Sequence, residues 1–233
     1  MVGRMFYRLG KTVLKPLTHA LYRPTITGTD NVPRSGGVIL ASNHLSFIDS
    51  FAIPLAAPRQ VHFLAKDDYF TGIGIGGALR RELFESMGAI PVDRRSSRAA
   101  QESLDSALAV LNAGEAFGIY PEGTRSRDGR LYRGRTGVAF LALTADVPVV
   151  PVALSGTRDI QPIGSKFPRL AKVRVSFGPP IHPAERYAGV SQGRARREFT
   201  DEIMEAIAAL SGQEQADGYN ELPPDASGPA IGT

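Results

Sequence analysis

The fold class follows from residues 38–49, which read VILASNHLSFID. The run Val38–Ala41 is short, apolar and β-branched, which is typical of a buried strand. A polar segment that contains His44 follows at once, and a helical pattern over Phe51–Ala56 comes just after Asp49. A strand that passes through a short polar loop into a helix is the unit from which α/β proteins are built.

The same unit recurs along the chain. Further apolar runs with the composition of strands are Val61–Ala65, Ala89–Val92, Ala116–Tyr120, Val149–Ala153 and Lys172–Phe177. Helical patterns lie between or after them, at Ala78–Met87, Arg98–Asn112, Gly137–Ala145 and Arg194–Leu210. We therefore predict a single α/β domain with a largely parallel, mixed sheet flanked by helices.

The composition indicates an ordinary folded domain without thiol chemistry. The chain has 233 residues, 42% of them hydrophobic, so a sizeable core is expected. It contains no cysteine, which excludes a disulfide framework, a cysteine nucleophile and a thiolate metal site. No apolar run approaches the roughly 18 residues of a membrane span, and the N-terminus lacks the layout of a secretory signal. We expect a peripheral protein on the cytoplasmic face of the cell membrane.

The charge distribution separates a basic body from an acidic end. The net charge is +4, and the only charged residues after 211 are four acids, so residues 1–211 carry +8. A basic body favours an anionic partner such as a lipid surface or a phosphorylated substrate. Nucleic acid is not favoured, because no recognition motif is present. We divide the chain into residues 1–24, a domain over 25–211 and a flexible acidic tail over 212–233.

The sequence pattern of residues 1–24 predicts an amphipathic helix. Apolar residues recur at three- and four-residue steps as far as Leu17 and Leu21, and every charge before Asp30 is basic. Such a helix suits the interface of an anionic membrane, where each basic residue contributes on the order of 1 kcal/mol. An ordinary helix packed on the core is the alternative. The absence of any acidic residue among these charges favours the membrane interface.

Chemically active side chains follow five of the predicted strands. In open α/β sheets, ligands bind outside the carboxyl ends of the strands. The segments that follow these ends contain His44 and Asp49, Lys66, Arg94, the loop Pro121–Arg127, and Ser155–Arg158. We therefore expect a histidine–aspartate pair and several cations to meet at one edge of the sheet.

His44 and Asp49 are the candidate catalytic pair. A hydrogen bond from one ring nitrogen of His44 to Asp49 would set the tautomer and leave the other nitrogen free to take up a proton. Ser46 and Asp49 are also spaced as a helix capping box, which is the purely structural interpretation. The one Gly-x-Ser-x-Gly pattern, at residues 189–193, has no predicted strand directly before it, as a nucleophile elbow requires, so the simplest chemistry is general-base activation of a bound hydroxyl. Two ligands are too few to predict a metal site.

The loop Pro121–Arg127 is the most specific feature of the sequence. It combines a carboxylate, a glycine, a hydroxyl and two guanidinium groups, from Glu122, Gly123, Thr124, Arg125 and Arg127. Arginine matches phosphate geometry, and glycine lets main-chain amides approach an anion. We interpret the loop as an anion site in which Glu122 orients a neighbouring arginine and to which Lys66 and Arg94 could add. A solvated basic loop is the structural alternative.

Together these segments resemble the motifs of the glycerolipid acyltransferases, the family typified by 1-acylglycerol-3-phosphate acyltransferase. Asn43, His44 and Asp49 match the family's Asn-His-x-x-x-x-Asp. The later motifs match in order at 88–94, at Tyr120–Ser126, which has tyrosine where the family has phenylalanine, and at Val147–Val152. Lys66 also resembles the family's lysine between the first two motifs.

The resemblance implies roles for individual residues. His44 would be the general base, Asp49 its orienting partner, and Asn43 and Ser46 supporting residues. The residues around the acceptor's phosphate would be Lys66, Arg94, Glu122, Gly123, Thr124 and Arg125. No metal or other cofactor is implied, and the co-substrate would be acyl-CoA or acyl-carrier protein.

The implied reaction acylates lysophosphatidic acid to phosphatidic acid without a covalent acyl-enzyme. The motifs leave open another lysophospholipid, a glycolipid or glycerol 3-phosphate as acceptor. A different class, a non-catalytic protein that binds membrane lipids, also stays open, although such a protein has no obvious use for the intact pair of His44 and Asp49.

Overall fold

The computed structural model describes residues 12, 15–67, 70–72, 74–86, 88–92, 99–162, 164–165, 167–183, 187 and 189–221. Its strands are β1 (Thr25–Thr27), β2 (Val38–Ser42), β3 (Val61–Lys66), β4 (Ala89–Val92), β5 (Ala116–Ile119), β6 (Val149–Ser155) and β7 (Arg174–Phe177). Its helices are α1 (15–22), α2 (Asp49–Ala56), α3 (Gly74–Ser86), α4 (Ala99–Asn112), α5 (Gly137–Ala145), α6 (Thr157–Ile160) and α7 (Gln192–Ser211), with a 3-10 turn at Thr29–Asn31.

The seven strands form one mixed sheet in the order β1-β7-β6-β2-β5-β3-β4. The five strands from β6 to β4 are mutually parallel, whereas β7 is antiparallel to β6 and β1 is parallel to β7. The carboxyl ends of β2 to β6 therefore meet at one edge. Strand β2 lies at the centre, and the loop that follows it opens between β5 and β6, where open sheets bind ligands.

The prediction of a single α/β domain with a largely parallel sheet is confirmed. Each predicted strand and helix after α1 is present within a few residues of its predicted ends. The short elements β1 and α6 were not predicted, because three or four residues are too few to show a periodicity. Strand β1 exists through its pairing with β7, about 150 residues later in the chain.

Two apolar clusters cover the faces of the sheet. Along β2 the side chains alternate, with Val38 and Leu40 in one cluster and Ile39 and Ala41 in the other. This alternation is what a strand buried on both faces requires. Helices α2 and α6 contribute to the first cluster, and α4, α5 and α7 contribute to the second. The sheet is thus fixed from both sides, which leaves its carboxyl edge for the site.

The segment after α7 is bonded to the domain, whereas the sequence predicted a flexible tail there. Residues 1–11 and 222–233 lie outside the described part of the structure, and the domain boundaries stay predictions. The segment 213–220, predicted as part of a flexible tail, forms hydrogen bonds with the body, and Asn220 is buried. The tail prediction overlooked these contacts because their partners are distant in sequence.

Candidate active site

His44 and Asp49 form a direct hydrogen-bonded pair at the carboxyl edge of β2. The distance from His44 Nδ1 to Asp49 Oδ2 is 2.8 Å. The side chain of Asp49 is fully buried, and that of His44 is 15% exposed. This geometry commits Nδ1 to the carboxylate and leaves Nε2 as the nitrogen that can accept a proton.

The carboxylate of Asp49 also holds the main chain of the loop. Its Oδ2 accepts hydrogen bonds from the main-chain N–H groups of Leu45 at 2.6 Å and Ser46 at 2.8 Å. Asp49 is the first residue of α2, and the residue before the helix, Ile48, makes no side-chain cap bond. Asp49 therefore forms its half of the capping-box arrangement, and Ser46 Oγ accepts the main-chain N–H of Ile48 at 3.4 Å. Asp49 Oδ2 also orders both the imidazole and the backbone that carries it.

Tyr120 provides a flat support for the imidazole that sequence analysis did not identify. The two rings stack with their centroids 3.9 Å apart and their planes at 9°. The Tyr120 hydroxyl lies 3.4 Å from Ser50 Oγ, and burial raises the pKa of the phenol well above its ordinary value. The sequence signal that could have identified this support is the aromatic residue directly before the Pro-Glu-Gly-Thr motif. Together, Asp49 and Tyr120 restrict the orientation of the His44 ring.

Glu122 is a buried structural link, which corrects its predicted place at the acceptor's phosphate. Its Oε1 accepts the main-chain N–H of His44 at 3.0 Å, and its Oε2 accepts that of Tyr132 at 3.0 Å. The side chain is fully buried. Burial raises the pKa of Glu122 to about 7, against the lowering effect of the two N–H groups. Because both carboxylate oxygens of Glu122 accept hydrogen bonds from the backbone, this buried side chain joins two loops and does not face a ligand.

Three other predicted residues of the loop, Gly123, Thr124 and Arg125, are at least partly open to solvent. Gly123 has φ +80° in a turn where its N–H donates to Tyr120 O at 3.0 Å, a conformation that suits glycine. Gly123 and Arg125 are exposed and Thr124 is half-buried. Ser126 N–H donates to His44 O at 2.7 Å, which ties the loop directly to the backbone of His44. The arrangement brings an exposed arginine and glycine beside His44.

The structure describes only part of the two other predicted cations, Lys66 and Arg94. Lys66 ends β3, and its backbone is in register with Val92 at the end of β4. The side chain of Lys66 and the whole of Arg94 lie outside the described part of the structure. Their predicted contact with a phosphate stays a prediction.

Asn43 and Ser46 connect the loop to neighbouring strands and turns. Asn43 is buried and exchanges two hydrogen bonds with the main chain of Leu154, from Nδ2 at 2.9 Å and to Oδ1 at 2.8 Å. Ser46 Oγ donates to Gln161 O at 3.0 Å. These bonds join the end of β2 to β6 and to the turn after α6. Among the described residues, no cluster of three His, Asp or Glu side chains is placed to hold a metal ion.

Comparison with known proteins supports a common origin for this arrangement. The family model described as Acyltransferase matches residues 23–155. The chain is 32% identical over 180 residues to the chloroplastic 1-acyl-sn-glycerol-3-phosphate acyltransferase of Arabidopsis thaliana, covering 76% of this chain and 49% of that protein. It is 28% identical over 206 residues to the 1-acyl-sn-glycerol-3-phosphate acyltransferase of Bacillus subtilis, covering 88% of this chain and 96% of that protein.

The fold has a solved counterpart. The crystal structure of the 1-acyl-sn-glycerophosphate acyltransferase PlsC from Thermotoga maritima is similar with a TM-score of 0.65 and 25% identity. The similarity covers 90% of this chain and 79% of that one. The chain spans about half the length of the chloroplastic relatives that it matches.

Proposed function

This chain belongs to the acyltransferase family, and we propose that it transfers a fatty acyl chain to the free hydroxyl of 1-acylglycerol 3-phosphate, giving phosphatidic acid. The observation that carries the proposal is the hydrogen-bonded pair of His44 and Asp49, whose backbone is bonded to the loop that contains the exposed Gly123 and Arg125. The names of the relatives from Arabidopsis thaliana and Bacillus subtilis support the choice of acceptor.

In the proposed reaction His44 acts as a general base. Its Nε2 takes the proton from the acceptor hydroxyl as the oxygen attacks the carbonyl carbon of a thioester, acyl-CoA or acyl-carrier protein. The carbon–sulfur bond then breaks, and the proton passes from the imidazolium to the leaving thiolate. Asp49 stabilises the imidazolium through the bond at Nδ1, and Tyr120 holds the ring plane.

Direct transfer without an acyl-enzyme fits the serine hydroxyls near the base. Ser42 Oγ donates to Asn43 O at 3.0 Å, and Ser46 Oγ donates to Gln161 O at 3.0 Å. Ser50 Oγ lies 3.4 Å from the Tyr120 hydroxyl. Because each of these three hydroxyls has a partner other than His44, the base is left for the substrate's own hydroxyl.

Arg125→Ala should weaken acceptor binding more than donor binding. We place the acceptor's phosphate against the exposed side chain of Arg125, and a charge-assisted hydrogen bond contributes about 1.5–3 kcal/mol. The Michaelis constant for lysophosphatidic acid should rise about 10- to 100-fold, the equivalent of that energy, with a small change for the acyl donor. Steady-state kinetics with each substrate varied in turn would measure this.

Two variants act as controls for this result. Arg125→Lys keeps the charge but loses the bidentate geometry, and it should lie between the wild type and alanine. Arg194→Ala removes one exposed cation from α7, where Arg194 pairs with Glu198, and it should leave both Michaelis constants unchanged. Equal increases for donor and acceptor in Arg125→Ala would contradict the assigned role.

We also propose that the protein binds an anionic membrane surface, where lysophosphatidic acid resides. In the part of the chain that the structure describes, no helix is long and apolar enough to cross a bilayer. Helix α1 exposes Leu17 and Leu21, one turn apart, at 52% and 51%. Phe167 and Leu170 are exposed at 80% and 73%. Exposed apolar groups of this size favour an interface over water.

These two apolar features lie on neighbouring parts of the fold. The segment after α1 pairs with the segment after Leu170, because Thr25 N–H donates to Val173 O at 2.9 Å. Basic residues flank both features in sequence, namely Lys15, Arg23, Arg169 and Lys172. Apolar side chains bordered by cations match the interface of a bilayer that contains anionic lipid.

The double substitution Phe167→Ser and Leu170→Ser should weaken vesicle binding at least tenfold, because burying one such side chain contributes about 1.5–3 kcal/mol. Co-sedimentation with vesicles of phosphatidylglycerol and phosphatidylcholine would measure the partition coefficient. The swap Phe167→Leu with Leu170→Phe is the matched control and should bind as the wild type does. Undiminished binding of the serine variant would remove this segment from the membrane surface.

The reaction itself is tested by transfer of labelled palmitoyl and oleoyl groups to a panel of acceptors. The panel contains lysophosphatidic acid, glycerol 3-phosphate and several lysolipids, with acyl-CoA and acyl-carrier protein as donors. Turnover on lysophosphatidic acid supports the proposal. Turnover on another acceptor alone would keep the chemistry and change the substrate. No transfer in any combination would favour a lipid-binding protein.

A further inference from the structure

Residues 213–220, here named the C-terminal strap, run alongside the loop that follows the phosphate motif. Leu131 N–H donates to Glu214 O at 2.8 Å, and Ala216 N–H donates to Leu131 O at 2.9 Å. Arg133 N–H donates to Gly218 O at 2.9 Å. These main-chain bonds attach the strap to residues 131–133 in the manner of an added strand. The strap lies beyond residue 155, where the match to the family model ends.

Gln213, the first residue of the strap, bridges two parts of the active site. Its Oε1 accepts a hydrogen bond from Asn43 Nδ2 at 2.7 Å, and its Nε2 donates to Gly129 O at 2.7 Å. Asn43 precedes His44, and its other Nδ2 bond goes to Leu154 O. Gln213 therefore completes the hydrogen bonds of a buried amide that adjoins the proposed base, and it joins that amide to Gly129, two residues after the loop Pro121–Arg127.

Tyr219, near the far end of the strap, contacts two arginine side chains that follow the loop Pro121–Arg127 in sequence. The guanidinium groups of Arg133 and Arg135 lie 5.5 Å and 5.6 Å from the centre of the Tyr219 ring. The Arg135 side chain passes so close to Gly123 that a Cβ there would lie 3.0 Å from Arg135 Nε. Arg197 of α7 donates to the Tyr219 hydroxyl at 3.2 Å. Tyr219 thereby holds Arg135 beside the glycine of the proposed phosphate site.

We propose that the C-terminal strap is a positioning element of the active site, in which Gln213 acts through Asn43 on His44 and Tyr219 acts through Arg135 on the acceptor site. The proposal rests on the function proposed above. Asn43 and Gln213 are buried or half-buried, and a buried amide that loses its acceptor moves or takes up water. The backbone of His44 is one residue away, so its displacement reaches the base.

Gln213→Ala should lower kcat for acyl transfer about tenfold, because displacements of about 1 Å in a positioned base cost up to ~100-fold. The Michaelis constant for the acyl donor should stay within about twofold. Gln215→Ala is the matched control, since Gln215 is an exposed glutamine in the same segment, and its kcat should equal that of the wild type. Equal kcat values for the two variants would overturn the role of Gln213.

A second arm of the experiment uses Tyr219. A cation–π contact at an exposed site contributes about 0.5–1 kcal/mol, so Tyr219→Leu should raise the Michaelis constant for the acceptor about two- to fivefold with little change in kcat. Tyr219→Phe keeps the ring and should restore the wild-type value. A value for phenylalanine equal to that for leucine would overturn the assignment of the ring contact to Arg135.

Hydrogen–deuterium exchange tests the strap independently of the reaction. In the full-length Gln213→Ala protein, the amides of Ser126 and Leu131 should exchange at least tenfold faster than in the wild type, while those of β2 and β6 stay protected. This result would stand even if the acceptor panel showed no turnover. Unchanged protection of both amides, or a uniform increase across the sheet, would overturn the proposal that the strap orders this loop.

Discussion

Replacing His44 with alanine should lower acyl transfer by about 10²–10⁴-fold, the range that positioned general-base catalysis provides. The reason is geometric: Nδ1 is held 2.8 Å from Asp49, the ring is stacked on Tyr120, and Nε2 is left to accept the substrate's proton. The measurement is the rate of labelled acyl transfer to lysophosphatidic acid at saturating substrate. Thermal unfolding of the variant would verify that the loss is chemical.

Asp49→Asn is the matched control for this loss. Asp49 Oδ2 takes all three hydrogen bonds from His44, Leu45 and Ser46. An asparagine in that place offers one neutral oxygen with two lone pairs, so the variant holds the loop and the imidazole less firmly and loses the charge that stabilises the imidazolium. Its activity should lie between those of the wild type and His44→Ala. Wild-type turnover by His44→Ala would refute the assignment of the base.

Replacing Glu122 with alanine should destabilise the fold by about 2–6 kcal/mol, since two buried N–H groups, of His44 and Tyr132, lose their acceptors at about 1–3 kcal/mol each. That is a large share of the ~5–15 kcal/mol that stabilises an ordinary domain. Denaturant unfolding would measure the change. A variant with wild-type stability and a raised Michaelis constant for the acceptor would return Glu122 to the phosphate site.

The stability of the wild type should also depend on pH through Glu122. Burial raises its pKa from 4.5 to about 7 in the folded state, so the folded chain binds this proton more tightly than the unfolded chain does. The contribution of Glu122 to the free energy of unfolding should therefore decrease as pH rises from 4.5 to about 7, by about 3 kcal/mol. Glu122→Gln lacks this proton, and its stability should show a correspondingly smaller decrease over the same interval.

Much of the fold was predictable because its signals are local. The run Val38–Ala41 and its later counterparts have the composition of buried parallel strands, and the helices between them show their own periodicity. The antiparallel direction of β7 and the existence of β1 were not predictable in this way. Strand β1 depends on its pairing with β7 about 150 residues later, and the direction of β7 depends on its pairing with β6 about 20 residues earlier. The chain carries no local signal for either pairing.

The contacts of the candidate site also differ in how far apart their partners lie in the sequence. His44 and Asp49 are five residues apart, so a strand, a turn and a helix start are enough to bring them together. The partners of Glu122 depend on which N–H groups surround it after folding, and the motif alone suggested an arginine. Gln213 reaches Asn43 across 170 residues, which made the strap resemble an ordinary polar tail.

The amino-acid sequence was therefore sufficient for the α/β class, for the strand ends where the candidate site lies and for the pairing of His44 with Asp49. Only the folded chain could show that Tyr120 supports the imidazole, that Glu122 joins two loops and that the strap hydrogen-bonds to residues 131–133. The physical reason is that strand and helix patterns express interactions between near neighbours. The partners of a buried carboxylate, amide or ring are set by packing between segments that meet only after folding.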